Sequence, residues 1–526
     1  MIVKAIMLVG LAMFCFVFGF FYALTTPFLL KQLTVPIAIL AAVVVWALPD
    51  LKASPHGALN GLSFTFLLTL LLWPNYLAIA LPGLPWITFI RLVAFPMIFV
   101  LLVSLSVSKE FRSKLSEILS AAPVVWKLLV SFSVIQLLCI AFTNNLDHSI
   151  QRTINHHVTC TAIFFASCYA FSYPGRVQRW AVFLWCVAII LCVIGVVELS
   201  MTRPPWGAHV PSFLKIEDEG VIRVLTGAVR SATGQYRVQS TFTTSLTLAE
   251  FLALTVPFVV HFGVRSKLTY VKIAAAASLP LMFYVVIITD SRLGMVGFLL
   301  ALMLYLLMWS VLRWKEVKAS LIAPAIVLAY PAIFVVFIFA TFAIGRLRNM
   351  VWGGGDTAAS NASRTAQYEG GIPMILKQPW GHGPGMGGET LGFVSPSGVV
   401  TIDTYYLAVG LEYGIAGFVA FYGMIIASIY YTGKLAIKNP QGEFSFLVPL
   451  SIAFTNFFVI KSVFSQQDNH PLVFMMMGIA TALAYRQATE TGGVGATAEI
   501  GQRLQSLSQR GGPRSPRSPA AQPERA

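Results

Sequence analysis

Apolar runs of about 20 residues recur along the whole chain, the length that crosses a bilayer core, and this repetition constrains the fold more than any motif does. The runs fall at 5–24, 33–49, 60–81, 86–108, 123–143, 153–172, 178–199, 244–263, 271–289, 293–312, 321–344, 413–432, 444–463 and 470–485. Inside lipid each backbone N–H and C=O needs an internal partner, so runs of this kind are helices. The expected fold is an all-α integral membrane protein with about 12–14 transmembrane helices and two long periplasmic loops. Composition agrees: 57% of residues are hydrophobic and 11% charged, against about 25% charged in soluble domains. The first run follows Lys4 without a small-x-small cleavage site, and reads as a retained span.

The net charge of +15 does not point to nucleic acid, because the Lys and Arg residues sit in short loops between spans. Lys109, Arg112 and Lys114, then Arg176 and Arg179, then Arg265, Lys267 and Lys272, then Arg313, Lys315 and Lys318, and finally Lys434 and Lys438 fall on one side. Such a bias marks the cytoplasmic face, which places both termini in the cytoplasm. The six cysteines lie within apolar runs and include no Cys-x-x-Cys pair, so neither a disulfide framework nor a metal site is expected. His156 and His157 are adjacent, point about 100° apart on a helix, and have no third ligand nearby. No cofactor is called for.

The chain divides into N-terminal spans (1–199), a first long outer loop (200–243), central spans (244–344), a second long outer loop carrying the candidate active-site segment (345–412), C-terminal spans (413–486) and a Gly/Ser/Pro/Arg-rich tail read as disordered (487–526). Long loops that are neither linkers nor cytoplasmic domains are usually functional. Matching Gly/Pro-broken helices, the mark of an inverted-repeat transporter, are not evident.

Five places can carry chemistry. Arg292, in Thr289-Asp290-Ser291-Arg292-Leu293-Gly294, is costly between two apolar runs unless it meets protein, water or an anion. Its planar fork suits a phosphate, and a structural pair with Asp290 is the alternative. Arg364 lies in the second outer loop, where a solvated loop charge is the alternative to an anion site. His382, Gly383 and Gly385 belong to Pro379-Trp380-Gly381-His382-Gly383-Pro384-Gly385, which could bring backbone N–H groups to a phosphate or sugar or could simply form a tight turn. Asp403 stands where the outer loop enters an apolar run. It reads either as a helix N-cap or as a base taking a proton from an acceptor hydroxyl. Arg237, in Tyr236-Arg237-Val238-Gln239, ends the first loop among mixed charges that include Arg203, Lys215, Arg223 and Arg230.

In order and spacing, Arg237-Val-x-x-Thr-Phe242, Thr289 to Gly294, Arg364, the Pro379–Gly385 segment and Asp403-Thr-Tyr-Tyr406-Leu with Gly414 eleven positions on resemble the O-antigen ligase and polysaccharide polymerase family. The resemblance covers about residues 200–435. It implies a metal-independent glycosyltransferase in a bacterial inner membrane. The donor would be a polyprenyl-diphosphate-linked oligosaccharide, with a glycan acceptor, membrane lipid around both, and a chain-length regulator as a candidate partner. The family's two diphosphate-binding arginines correspond to Arg292 and Arg364, and its catalytic histidine falls on Asp403. Substrate contacts would come from Arg237, Tyr406, His382, Gly383 and Gly385. Aspartate in the histidine's place departs from the ligase pattern and favours polysaccharide polymerase over O-antigen ligase. A lipid-linked sugar flippase or transporter is the reading from another class.

Overall fold

The structure, a computed structural model, describes residues 40–51, 55–80, 86–214, 218–227, 234–345, 348, 358–394 and 400–510. The run at 5–24, most of the run at 33–49, and the loop charges Lys215, Arg230 and Arg346 lie outside the described residues. Among the described residues nine helices are long and apolar enough to cross a membrane: Phe89–Val107, Pro123–Phe142, Arg176–Met201, Ser245–Arg265, Thr269–Ile288, Arg292–Glu316, Ile322–Ala343, Tyr405–Lys438 and Gly442–Ile460. Three further runs fall on a short apolar helix, Gly57–Leu72, on a composite of Leu146–His156, a π turn and Ala162–Ala170, and on the helix that opens at His470. The only sheet among the described residues pairs Ala78–Ile79 with Ile87–Thr88. The chain is an all-α integral membrane protein.

Successive helices alternate in direction, and contacts between loops identify the two ends. Arg265 meets Glu316 at 3.5 Å, the Lys315 ammonium donates to the Ile437 carbonyl, and Arg486 meets Glu443 at 2.6 Å. These join the basic loops at one end. At the other end gather 143–149, 236–247, 289–293, 361–394, 400–406 and 461–470, the segments that hold every candidate site residue.

Ser245–Arg265 is buried on nearly all sides, whereas Ile322–Ala343 buries only Ala323 and Thr341. The first is the axle of the bundle and the second faces lipid. Small residues let neighbours approach the axle. A Cβ on Gly294 would lie 2.5 Å from that of Ala249, and one on Gly297 would meet Ile460 and Ala253. Between them the Asn456 amide donates to the carbonyls of Ala253, at 2.9 Å, and Gly297, at 3.0 Å, joining three helices. Small interfacial residues with a polar cross-link are what association in lipid requires, since burial against lipid tails gives no hydrophobic gain.

At the polar end the axle carries Glu250, which pairs with Lys461 at 2.9 Å, both side chains fully buried. Asn469 donates to the same carboxylate at 3.1 Å, and the Lys461 ammonium also donates to the Gln466 carbonyl. This pair fixes the turn after the Gly442–Ile460 helix.

Two expectations change. The second outer loop contains a regular helix, Ala358–Lys377, and a short one, Gly387–Leu391. Arg364 therefore stands on a helix and not in an irregular loop. The span expected at 413–432 belongs to a longer helix, Tyr405–Lys438, interrupted at Gly414 (φ 66°, ψ −167°). In addition, the final helix runs His470–Arg510 and so enters the segment read as a disordered tail. Ala, Glu, Gln, Leu and Arg in its last turns are good helix formers, and the first proline of the tail is Pro513, outside the described residues.

Leaving one buried charge without its partner costs about 3–5 kcal/mol. Lys461→Met or Glu250→Leu alone should therefore lower stability by that amount in detergent unfolding, with the double variant recovering most of it. Equal stability of all four proteins would show that the pair holds nothing.

Candidate active site

The Tyr405–Lys438 helix begins with Thr404, whose hydroxyl accepts the N–H of Leu407 at 3.2 Å. Thr404 is thus the N-cap, and Asp403 is relieved of that duty. What holds Asp403 is Gln367, fully buried on the Ala358–Lys377 helix. The Gln367 carbonyl accepts the Asp403 N–H at 2.9 Å, and its amide donates to Asp403 Oδ2 at 3.1 Å. One amide thereby fixes both the backbone and the carboxylate. Among the described residues Oδ1 has no hydrogen-bond partner, and Asp403 is only partly buried.

Arg364 lies one turn before Gln367 on the same helix, half-buried. Its Nη1 donates to Asn361 at 3.3 Å, and its Nε is buried with no partner among the described residues. Burial draws the guanidinium below its usual range, while the negative charge of Asp403, and less so Tyr368, pulls the other way. An arginine stays protonated under such a shift. Arg364 is therefore a fixed cation within electrostatic reach of an oriented carboxylate, with Arg364 donors and Asp403 Oδ1 left over for a ligand.

Arg292 opens the Arg292–Glu316 helix behind the N-cap Ser291, which accepts the Gly294 N–H at 3.1 Å. The corner before it turns through Asp290 at φ 49°, a left-handed conformation that aspartate tolerates better than most residues. Arg237 stabilises this corner: its Nε donates to the Thr289 carbonyl at 3.0 Å and its Nη2 to the Asp290 carbonyl at 3.1 Å. Two sites of the Arg237 fork are thus committed to backbone. The residue also lines a cavity of about 680 Å³ with Arg223 and Asp218. Glu198 secures the same segment by accepting the Tyr236 hydroxyl and the N–H groups of Gln239 and Ser240.

Three elements of the site meet at the turn fixed by Lys461. The Tyr405 N–H donates to the Lys461 carbonyl at 3.2 Å, and the Tyr368 hydroxyl approaches the Ser462 carbonyl at 3.5 Å. Leu293 packs with Val463 and Phe464. The helix starts bearing Asp403 and Arg292, and the helix bearing Arg364, are tied to one four-residue turn. The Tyr406 hydroxyl donates to the Phe458 carbonyl at 2.8 Å, an anchor for that helix.

His382, Gly383 and Gly385 lie elsewhere, at the helix break. His382 donates its N–H to the Leu411 carbonyl at 2.9 Å, and its ring Nδ1 lies 3.0 Å from the same oxygen. The Gly383 N–H bonds the Glu412 carbonyl at 3.1 Å, and Ile415 N–H the Pro379 carbonyl at 2.9 Å. The Glu412 carboxylate accepts the N–H groups of Gly385 and Gly387. The glycine-rich segment satisfies the backbone groups that the Gly414 break exposes. A Cβ on Gly383 would meet Thr143 at 2.6 Å, and one on Gly385 would meet His148 at 2.9 Å, so packing against Thr143 and the Leu146–His156 helix also demands glycine there.

Sequence reasoning did not single out Gln367, Lys461, Glu250, Glu198 or Glu412. Two of these, Glu198 and Glu250, are carboxylates inside predicted spans, a signal of function or structural pairing that was available. Among the described residues no three His, Cys, Asp or Glu side chains converge as metal ligands.

The molecule is a polytopic membrane protein with a cation–carboxylate pair at the polar end of its bundle. Residues 277–422 match the family model described as O-antigen ligase, a segment running from before the Asp290 corner to beyond the Gly414 break. The match supports a glycan transferase of the ligase or polymerase type and does not separate the two. No curated protein matches the chain.

Losing an N-cap typically costs about 1 kcal/mol. Thr404→Ala should cost that much in stability, whereas Asp403→Asn should change it by less than about 0.5 kcal/mol. Unfolding curves with the reverse order would return the capping role to Asp403.

Proposed function

We propose that the protein is a polysaccharide polymerase that transfers a glycan from polyprenyl diphosphate to a sugar hydroxyl at the periplasmic face of a bacterial inner membrane. The observation that carries the reading is the Asp403 carboxylate, free of capping, clamped by Gln367 and set beside Arg364. In the reaction the acceptor hydroxyl loses its proton to Asp403 as its oxygen bonds to the anomeric carbon of the donor. The bond from that carbon to the diphosphate oxygen breaks, and the leaving diphosphate takes the electron pair. Arg364, and Arg292 at the neighbouring helix start, supply positive charge where the leaving group gathers negative charge. Gln367 keeps Oδ1 directed toward the acceptor, so the carboxylate needs no reorganisation.

Aspartate in place of the family's histidine favours polymerase over ligase. A histidine base becomes cationic on accepting a proton; a carboxylate becomes neutral, which suits a site already holding arginines. The ligase reading differs in its acceptor, the lipid A core. A chain-length regulator remains a candidate partner of the polymerase.

Removing an electrostatic donor of this kind lowers turnover about 10²–10³-fold, and removing a general base about 10²–10⁴-fold. Arg364→Ala, Arg292→Ala and Asp403→Asn should each abolish long glycans on a sizing gel while protein levels stay normal. A gene deletion should leave exported single repeat units. Unattached long chains on the carrier would instead identify a ligase, and normal polymer from the arginine variants would refute the assignment.

A further inference from the structure

A second polar chamber lies apart from Asp403. It encloses about 400 Å³ and is lined by Arg91, Arg152, His156, Thr243, Asp468 and His470, among others. Arg152, on the Leu146–His156 helix, makes no hydrogen bond to any described residue. Glu412 is within its electrostatic reach. Asp468 is engaged by the Thr243 and Thr247 hydroxyls. His470 is 1% exposed, and neither of its ring nitrogens has a partner among the described residues; the same holds for His156 Nε2. Buried polar nitrogens without partners are costly, and a wall that carries several of them beside an uncommitted arginine is built for a polar ligand.

The chamber opens sideways. An apolar groove of about 370 Å³ shares Trp86, Arg91 and Asn155 with it and continues over Leu92, Phe95, Ile154 and Val158. A further apolar cavity of about 430 Å³ shares Val158 with that groove and runs along Leu101, Leu105 and Phe165. The two walls are the Phe89–Val107 helix, interrupted by Pro96, and the composite helix with its π turn at His157–Thr161. The π turn lets one stretch serve both environments: Thr159 and Cys160 line the chamber, while Val158 and Thr161 line the apolar crevice. From Arg91 to Leu105 the crevice spans about 21 Å at 1.5 Å per residue. That exceeds one leaflet, about 15 Å or half the hydrocarbon thickness.

We propose that this crevice is a second lipid site, which takes a linear isoprenyl phosphate or diphosphate with its phosphate at Arg91 and Arg152 and its tail between the two helices. A track longer than a leaflet and walled by two helices suits a long single chain better than a diacyl lipid. The inference rests on the polymerase reading, in which the donor's isoprenyl diphosphate is held at Arg364 and Arg292 and an acceptor glycan must be anchored beside it. The chamber adjoins the reaction centre: its His470 ring lies 4.7 Å from that of Tyr405, two residues from Asp403. A lipid anchored here would present its sugar toward the Tyr405 helix start that follows Asp403.

The test is photolabelling of the full-length protein in nanodiscs with a linear isoprenyl diphosphate bearing a terminal diazirine, with cross-linked peptides read by mass spectrometry. Label is expected on residues 92–105 and 154–165. It should fall at least tenfold in Arg152→Ala and in Ile154→Trp, the latter filling the groove from a position 53% exposed. Unlabelled isoprenyl diphosphate should compete and phosphatidic acid should not. Label confined to other helices, label unchanged in both variants, or equal competition by phosphatidic acid would overturn the proposal. The assay needs no turnover, so it separates from the functional reading. Lost label here with transfer still dependent on Arg364 removes only this site. Retained label with transfer indifferent to Arg364 removes only the mechanism.

Discussion

A lysine and a glutamate with no solvent exposure hold the polar end of this bundle together. Lys461 and Glu250 sit 2.9 Å apart, and a charge pair so placed survives only if its remaining donors and acceptors are also met. Asn469 and the Gln466 carbonyl do this. The consequence is positional. The Lys461–Phe464 turn can no longer move relative to the central helix, and it receives Tyr405, Tyr368 and Leu293. The groups proposed to react, carried by three separate helices, thereby share one rigid reference, which loops alone could not provide at the surface of a membrane.

Charged residues at this end divide their labour. Arg237 and Glu198 spend their hydrogen-bonding capacity on backbone, Arg237 on the Asp290 corner and Glu198 on residues 236–240. Glu412 does the same for the glycine-rich segment. Arg364 and Asp403 retain capacity because neighbours perform the structural tasks: Thr404 caps the helix and Gln367 holds the carboxylate. The distinction between a positioning charge and a reacting charge therefore lies in where the hydrogen bonds go, and residue type does not reveal it.

The spans were legible in the sequence because lipid permits only one backbone solution for an apolar run of this length. The clustering of the basic loops at one end was legible for the same reason, since short connections force alternation. The site was legible in part. The Asp403 carboxylate acts electrostatically on Arg364, but Asp403 and Thr404 are both good capping residues, and adjacent candidates cannot be separated without the backbone. The glycines of 381–385 were ambiguous because small size serves a phosphate and a tight packing contact equally. Their partner, the Gly414 break, is about thirty residues distant. The helix around Arg364 was missed because its first half is polar and weakly patterned, and its stability comes from contact with the Tyr405 helix, as Gly371 against Leu407 illustrates.

The break at Gly414 explains why the site can be polar at all. A continuous Tyr405–Lys438 helix would satisfy its own backbone and give the Pro379–Gly385 segment nothing to bond. With the break, that segment enters the bundle as a non-helical wall whose polar groups are met by Leu411, Glu412 and Ile415. Irregular backbone at membrane depth is tolerated where protein or a water-filled cavity surrounds it. The same wall presses Gly385 against Arg152, so it separates the Leu146 helix from the Tyr405 helix and leaves space between them. The polar chambers at this end follow from the misfit between a broken helix and the loop that mends it, and charged side chains can occupy them without contact with lipid.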